Sequence, residues 1–438
     1  MRILIYGINY APELTGIGKY TGEMGAWLAK QGHRVDVITA MPYYPEWEIH
    51  EKYKGKWFWF KENIDGVNVY RCPLYVPKKI TSLKRIIHEF SFIAAVLPLW
   101  FRTLFQKKYD FVIAISPPFH LGFFPLLYSK LRGVKMITHI QDLQVDAAKN
   151  LAMVKNGRFL NMMFGAEKFI LKKSSVVSSI SKGMLKKIKG KNIKGLKAIF
   201  FPNWVDENAL VPLPKENSMR KEFGLCDNDK VILYSGNLGE KQGLEVIIDV
   251  ARQFSNRSNV HFLIVGSGGN KENLQKMAAS EKLVNIHFHP LVAMEKFSEL
   301  LATADLHLVL QKQSASDLVM PSKLAGILSA GGCAVVTANP GTSLYEVVND
   351  NNIGLVIEPE SANALKVCLE KALEMDLEPY RKRARSYAKA YLSKEWIMRN
   401  FERELYNGLT NRSKPILVYD PIEIVLRKAE MQKMVTSK

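Results

Sequence analysis

"GINYAPELTGIGKY", residues Gly7–Tyr20, follows directly on the apolar run Arg2–Tyr6. The chain leaves a short strand, crosses a loop containing Pro12, and passes Gly16 and Gly18 before an amphipathic stretch begins. Glycine lacks a Cβ, so main-chain N–H groups can come close to a phosphate or a sugar. The start of a helix also favours negative charge. A packing glycine explains the loop equally well. The spacing is not GxGxxG, and the run Arg34–Ala40 ends in Thr39 and Ala40, with no acid placed for a ribose. Both facts speak against a dinucleotide dehydrogenase.

The same alternation continues outward from that stretch. Apolar runs fall at Ile3–Gly7, Arg34–Ala40, Val67–Cys72, Phe111–Ser116, Lys135–Ile140, Val176–Ile180 and Ala198–Pro202. After the polar stretch Pro212–Lys230 they restart at Val231–Ser235, His261–Gly266, Ile286–His289, Leu306–Gln311, Ala334–Ala338 and Leu355–Glu358. Many are apolar throughout, as strands covered on both faces are. Helical faces lie between them: Tyr20, Met24, Trp27 and Leu28 share one, and Leu244, Ile247, Ile248 and Ala251 share another. Strand–helix alternation implies parallel sheets with right-handed crossovers. The expected fold class is α/β, with two Rossmann-like doubly wound domains joined near "FPNWVD" (Phe201–Asp206) and facing one cleft.

The 438 residues suit such a pair, and 47% hydrophobic content with 21 Phe and seven Trp supplies two cores. Four scattered cysteines fit no metal spacing and no disulfide scaffold. Ile3–Tyr6 is too short for the apolar centre of a signal peptide. The net charge of +19 draws the protein to anions. No recognition helix, zinc spacing or aromatic RNA-binding motif accompanies it, so nucleic acid is not an expected partner. An anionic membrane surface is one. "FSFIAAVLPLWF" (Phe90–Phe101) is shorter than the ~20 residues of a spanning helix, and Lys84, Arg85, Arg102, Lys107 and Lys108 flank it. It reads either as a buried core helix or as an interfacial one. Ten lysines and no acid between Lys168 and Lys197 add to the positive field.

Phosphate-binding signals recur in the second half. "YSGNLGEKQG" (Tyr234–Gly243) leaves a strand, with Asn237 in the turn and Lys241 beside it. "VGSGG" (Val265–Gly269) leaves the next strand and places Gly266 and Gly268. In "DLVMPSKLAGILSAGG" (Asp317–Gly332), Ser322 and Lys323 open a short helix whose amides, hydroxyl and ammonium would face an anion. In the first half, "HIQDLQVD" ends a strand and puts His139, Asp142 and Asp146 at an expected cleft edge. His139 there would touch a sugar or serve the fold as an ordinary structural histidine.

Taken together, "YGINYAPELTGIGKYTGEM", "ITAMPYYPEW", "YRCPLYVPK", "HIQD", "FFPNW", "YSGNLGEKQGLE", "PSKL" and "VIEPES" resemble the GT-B glycosyltransferases of family 4, in their colanic-acid and exopolysaccharide branch. The resemblance runs from residue 1 to about 408. It implies a retaining, metal-independent transfer that needs no cofactor. The sugar would pass from a nucleotide-sugar, GDP-fucose-like or UDP-deoxyaminosugar-like, to a polyprenyl-diphosphate-linked saccharide. The enzyme would sit in the cytoplasm, peripherally on the inner face of the cell membrane. By motif, His139, Lys241, Lys323 and Asp317 would be the catalytic set. Gly16, Gly18, Asn237, Gly266, Gly268 and Ser322 would hold the donor, and Asp142 and Asp146 would lie on the acceptor side. Many members carry two glutamates in the last region. Here those positions fall on Gly326 and near Leu318, and the adjacent Asp317 is the candidate substitute. The implied divisions are an acceptor-side domain over 1–205, with a membrane segment near 83–108, and a nucleotide-sugar domain over 206–385. A helix over 386–411 would cross back, and a tail over 412–438 has no assigned role. An epimerase on the same fold and a non-catalytic membrane assembly protein are the rival readings.

Overall fold

The computed structural model describes residues 1–14, 16–79, 81–150, 156–316 and 320–409. The chain forms two compact units. Unit 1 is built from Met1–Pro202 and takes the chain back at Met398; unit 2 begins at Asn203 and runs to Ile397.

Unit 1 runs in order through β1 (Arg2–Tyr6), α1 (Gly16–Lys30), β2 (Arg34–Ala40), β3 (Phe60–Ile64), β4 (Val67–Cys72) and α2 (Ser82–Phe105). It continues through β5 (Phe111–Ser116), α3 (Phe123–Arg132), β6 (Lys135–Ile140), α4 (Gln144–Asn150), α5 (Gly157–Lys173), β7 (Val176–Ser179), α6 (Lys182–Gly190) and β8 (Ala198–Phe200). The sheet order is β3-β4-β2-β1-β5-β6-β7-β8. All neighbours are parallel except β3 and β4. β3 is the strand that the apolar runs do not reveal, because Phe60–Ile64 alternates in exposure at the sheet edge. Its signal was the turn: Asp65 and Gly66 both take positive φ, 51° and 82°, as a two-residue hairpin turn requires.

The apolar run around Phe90 belongs to α2, a 24-residue helix. Thr81 caps it by accepting from the Lys84 amide at 3.3 Å. Phe92, Val96, Leu99 and Trp100 form one stripe, each at most 5% exposed, packed in the core. Tyr6 of β1 meets the Phe92 and Trp100 rings at 5.9 and 5.1 Å. The opposite face is bare. α2 is therefore core helix on one side and surface on the other, and it is long and apolar enough to cross a membrane by length and composition alone.

Unit 2 contains β9 (Lys230–Asn237), α7 (Glu245–Gln253), β10 (Val260–Ser267), α8 (Lys271–Ser280), β11 (Ile286–His289), α9 (Phe297–Thr303) and β12 (Leu306–Val309). Then follow α10 (Lys323–Ser329), β13 (Ala334–Thr337), α11 (Ser343–Asp350), β14 (Gly354–Ile357), α12 (Ala362–Ala372) and α13 (Glu378–Tyr391). α14 (Lys394–Leu409) begins in unit 2 and ends in unit 1. The all-parallel sheet has the order β11-β10-β9-β12-β13-β14, with an apolar layer on each face. The polar stretch that precedes β9 is fastened to this sheet. Buried Arg220 donates to the carbonyls of Cys226, Asp229 and Thr303 and pairs with Asp305 at 2.8 Å, while Asp305 also accepts from the Val231 amide.

Candidate active site

In a doubly wound sheet, ligands bind beyond the carboxyl ends of the strands, at the point where successive connections turn to opposite sides. In unit 2 that point lies between β9 and β12, since β10 and β11 extend one way and β13 and β14 the other. The loops leaving β9 and β12 are tied together by the Lys312 amide, which donates to the Lys241 carbonyl at 2.9 Å.

Lys323, the first residue of α10, reaches this corner. Its Nζ stands 3.4 Å from the centre of the Tyr234 ring and has no hydrogen-bond partner. The residue as a whole is half-buried, but the amine nitrogen is shut off from solvent, and that burial holds its pKa well below the usual lysine value. Buried Ser267 Oγ, at the end of β10, and Gln242 Oε1, in the turn after β9, are also unpartnered, as is Ser316 Oγ in the loop after β12. Side-chain groups left unpaired at a ligand end are what an absent polar ligand would satisfy. Lys241 is half-buried in the turn Glu240–Gln242.

The glycine corner owes part of its composition to packing. β9 and β10 pair through Gly236↔Gly266 and Ser267↔Asn237. A Cβ on Gly266 would lie 2.0 Å from the Gly236 carbonyl oxygen, and one on Gly268 would lie 2.6 Å from Asn237 Oδ1. Asn237 itself is exposed at the strand end. Ser322 departs from the expected cap. It has helical φ and ψ and its hydroxyl caps nothing. Asp317 lies outside the described residues. Gly326 is buried within α10, where an added Cβ would meet Phe297 at 3.3 Å and Leu210 at 3.6 Å. α10 thus closes on the core at one of the two positions where the resemblance implies a glutamate. Among the described residues no three His, Cys, Asp or Glu side chains gather as a metal site.

In unit 1 the corresponding point lies between β1 and β5. The opening loop is organised by Glu13, which is 3% exposed. Glu13 Oε1 accepts from the amides of Tyr43 and Tyr44, and Asn9 Nδ2 donates to both carboxylate oxygens. Burial nevertheless pushes this carboxyl up to about 7. A Cβ on Gly18 would sit 2.3 Å from Glu13 Oε2, so Gly18 makes room for the carboxylate. Gly16, at φ 60°, starts α1. Arg71, fully buried, braces the loop by donating to the carbonyls of Ala40 and Ala11 and pairing with Glu62.

Two first-half expectations change, those for His139 and Asp146. His139 does not stand at an edge: it is 3% exposed, its Nδ1 is 2.9 Å from Ser178 Oγ, and its ring lies 5.0 Å from Phe201. Burial drives its pKa down to about 3, which makes it a neutral core histidine. Asp146 is engaged by Lys191 at 2.7 Å, together with Glu167 at 2.5 Å, in an ion-pair cluster between α4, α5 and the end of α6. Asp142 follows β6, half-buried, and its charge acts on Tyr44. The sequence reading missed Glu89 of α2 and His120, which follows β5. His120 Nε2 is 3.5 Å from Glu89 Oε2 and makes no hydrogen bond.

The bare face of α2 exposes Leu83, Phe90, Leu97, Phe101 and Phe105. Beside it, α3 exposes Phe123, Leu127 and Leu131, spaced by four. Arg132 joins the two helix ends by donating to the carbonyls of Leu104 and Gln106. Phe123 in turn stacks on Phe169 of α5 at 6.5 Å. Three adjacent helices therefore present apolar side chains, with Lys130, Arg132, Lys168 and Lys172 among them.

Two such units, each built on an open and largely parallel doubly wound sheet, are the architecture of the GT-B class of glycosyltransferases. The family described as glycosyl transferase 4-like domain matches residues 15–204, and that of glycosyl transferases group 1 matches residues 215–391. The Escherichia coli K12 protein WcaI, assigned to colanic acid biosynthesis as a glycosyl transferase, is 42% identical over 413 residues, spanning 92% of this chain and 100% of its own. The chain belongs to the GT-B glycosyltransferases of family 4. Solved structures agree on the fold. Sucrose-phosphate synthase from Thermosynechococcus elongatus superposes with a TM-score of 0.74 at 16% identity, covering 94% of this chain and 100% of that one. Anabaena HepE in complex with UDP-glucose gives 0.66 at 15% identity, covering 93% and 100%.

Proposed function

We propose that this glycosyltransferase moves a sugar, with retention of configuration and without a metal, from a nucleotide-sugar to a lipid-linked saccharide in the assembly of a surface polysaccharide. The unpartnered buried Lys323 amine at the unit 2 switch point, with Ser267 and Gln242 also unpaired, carries the reading. An arriving diphosphate would supply the missing acceptor and favour the ammonium that burial disfavours. Lys323 and Lys241 would then stabilise the departing nucleoside diphosphate, the electrostatic work that dominates such transfers. The incoming hydroxyl would attack from the face that the diphosphate leaves, with its proton passing to the leaving phosphate. Asn237, Gly266, Gly268 and Ser322 border this donor site, and Gly16 and Gly18 line the opening loop of unit 1. HepE, whose structure holds UDP-glucose, and WcaI, assigned to colanic acid, support a nucleotide-sugar donor and a polysaccharide product. The donor is proposed to be GDP-fucose-like or UDP-deoxyaminosugar-like.

The acceptor is proposed to be a polyprenyl-diphosphate saccharide, met at the cytoplasmic face of the membrane. Exposed apolar side chains on α2, α3 and α5, set among basic residues, suit an anionic bilayer surface. The test is thermal stabilisation of the purified protein by a panel of UDP-, GDP-, ADP- and dTDP-sugars, since a ligand of the native state raises apparent stability. The anomeric configuration of the product is then read by NMR. One nucleotide-sugar series should stabilise the protein, and the product should keep the donor configuration. Stabilisation by none would overturn the reading, and an epimerised donor formed without any acceptor would replace it with the epimerase.

A further inference from the structure

Glu89 and His120 form an acid–base pair that the fold does not require. Glu89 rises from α2 and His120 from the loop after β5, at the switch point of the unit 1 sheet where a ligand is expected. Both side chains are largely enclosed, at 12% and 16% exposure. The geometry leaves each under-used. Gln144 Nε2 reaches Glu89 Oε1 at a long 3.4 Å, and Gln144 Oε1 is itself held by the Phe119 amide at 3.1 Å. His120 Nε2 makes no hydrogen bond, although Glu89 Oε2 is 3.5 Å away. The Phe90 ring covers the imidazole at 5.3 Å with an interplanar angle of 13°.

Burial pushes the Glu89 carboxyl up to about 7, against the nearby Arg85 charge and the Gln144 bond, and pulls His120 down to about 4. Near neutral pH His120 is neutral and Glu89 is shared between its acid and carboxylate forms, so the pair offers both donors and acceptors and no positive charge, which suits a hydroxyl rather than a phosphate. Phe90 is 56% exposed and belongs to the apolar face of α2. One residue therefore links the polar pair to the surface that a lipid would contact.

We propose that Glu89 and His120 bind a hydroxyl of the acceptor saccharide, holding it beside the lipid-facing side of α2. This rests on the transferase reading above. A saccharide hydroxyl set alongside the pair, within reach of both Glu89 Oε2 and His120 Nε2, would donate to one and accept from the other. Gln144 fixes the carboxyl and Phe90 fixes the ring. Arg85, one helical turn before Glu89, is a cation on the same helix within reach of an acceptor's diphosphate.

The experiment uses the full chain, a radiolabelled nucleotide-sugar chosen by the stabilisation panel, and membranes from cells of the source organism deleted for this gene as the acceptor pool. Label extracted into the lipid fraction is measured against membrane concentration for the unaltered protein and for Glu89→Gln and His120→Asn. Each variant should need about tenfold or more membrane to reach half-maximal labelling, or label at about a tenth of the rate. Thermal stabilisation by the nucleotide-sugar should stay as in the unaltered protein. Glu89→Gln keeps the shape and removes a buried acid, so it should melt no lower than the parent. Unimpaired melting with impaired labelling is a combination that a purely structural role would not give. Should His120→Asn fail to fold, Glu89→Asp, which only withdraws the carboxyl, takes its place with the same expected loss. Labelling by both variants as strong as by the parent overturns this assignment alone. No labelling by the unaltered protein overturns the transferase reading and this assignment with it.

Discussion

Replacing Lys323 with methionine separates what the residue does for the fold from what it does for the ligand. The amine has no hydrogen bond and is closed to solvent. An unsatisfied buried polar group costs about 1–3 kcal/mol, and an amine whose charge is disfavoured by burial recovers little of that from the Tyr234 ring face. Methionine has a similar length and no donor to leave unpaired. The free protein should therefore gain about 1 kcal/mol, or roughly 2–4 °C in Tm for a unit of 150–250 residues. The same change deletes the cation proposed to meet the donor diphosphate. A hydrogen bond to a charged group is worth about 1.5–3 kcal/mol, so donor affinity should fall about tenfold to 150-fold. Differential scanning fluorimetry without ligand, followed by a nucleotide-sugar titration of parent and variant, reads both numbers. A variant that melts several degrees lower and still binds donor at parental affinity would refute the reasoning, because Lys323 would then be a structural residue whose partner is protein.

Lys241→Ala should lower transfer by about tenfold with little change in melting, as expected for a half-buried side chain near a diphosphate; unchanged turnover in the Lys241→Ala, Lys323→Ala double variant would reject both assignments. Burial disfavours the Lys323 ammonium in the free protein and an arriving diphosphate favours it, so donor affinity should fall as pH rises through the range in which the amine titrates; donor titrations across a pH series measure the slope. His139 and His307, both held near 3 by burial, bind fewer protons folded than unfolded below their ordinary pKa of about 6.5, so each should withdraw about 2 kcal/mol of stability by pH 5, and denaturant midpoints across pH 7 to 5 check the slope. Phe101→Ser with Phe105→Ser, at 67% and 74% exposure, should weaken binding to phosphatidylglycerol vesicles at least tenfold without lowering Tm, and high salt should weaken the parent as well.

Most strands were legible because parallel strands covered on both faces must be apolar throughout, and β2, β4, β5 and β6 begin and end where their runs do. β3 was hidden because an edge strand covered on one face alternates; its Asp65–Gly66 turn was the readable mark. Of the candidate site, Lys323 was the position that local sequence could mark. Lys323 stands at a helix start after a proline, and the structure encloses its amine. His139 misled because a polar residue near a strand end points to either face, and its actual neighbours, Ser178 and Phe201, come from distant parts of the chain. Glu89 and His120 are 31 positions apart in the sequence, and only the folded chain brings them within 3.5 Å. The glycines illustrate the same limit. Gly18 and Gly266 read as openings toward a ligand, yet their missing Cβ atoms first admit the Glu13 carboxylate and the Gly236 carbonyl.

That packing requirement sharpens the functional argument. A turn held this tightly cannot shift to find partners for nearby polar groups, so any group left unpaired there stays unpaired until something binds. Gly266→Ala tests the premise. The new Cβ would lie 2.0 Å from a backbone oxygen of the paired strand, which no rotamer can relieve. Overpacking of a rigid site costs about 3 kcal/mol, or roughly 6–12 °C in Tm for a unit of this size. If the β9–β10 corner is rigid, the variant should lose that much stability, and whatever folds should bind nucleotide-sugar more weakly, because Ser267 and the Gly236 turn beneath Lys323 are displaced together. If Gly266→Ala instead melts within a degree of the parent and binds donor normally, the corner is pliable. Ser267, Gln242 and Lys323 could then have rearranged to satisfy one another, and their unpaired state would no longer point to a ligand.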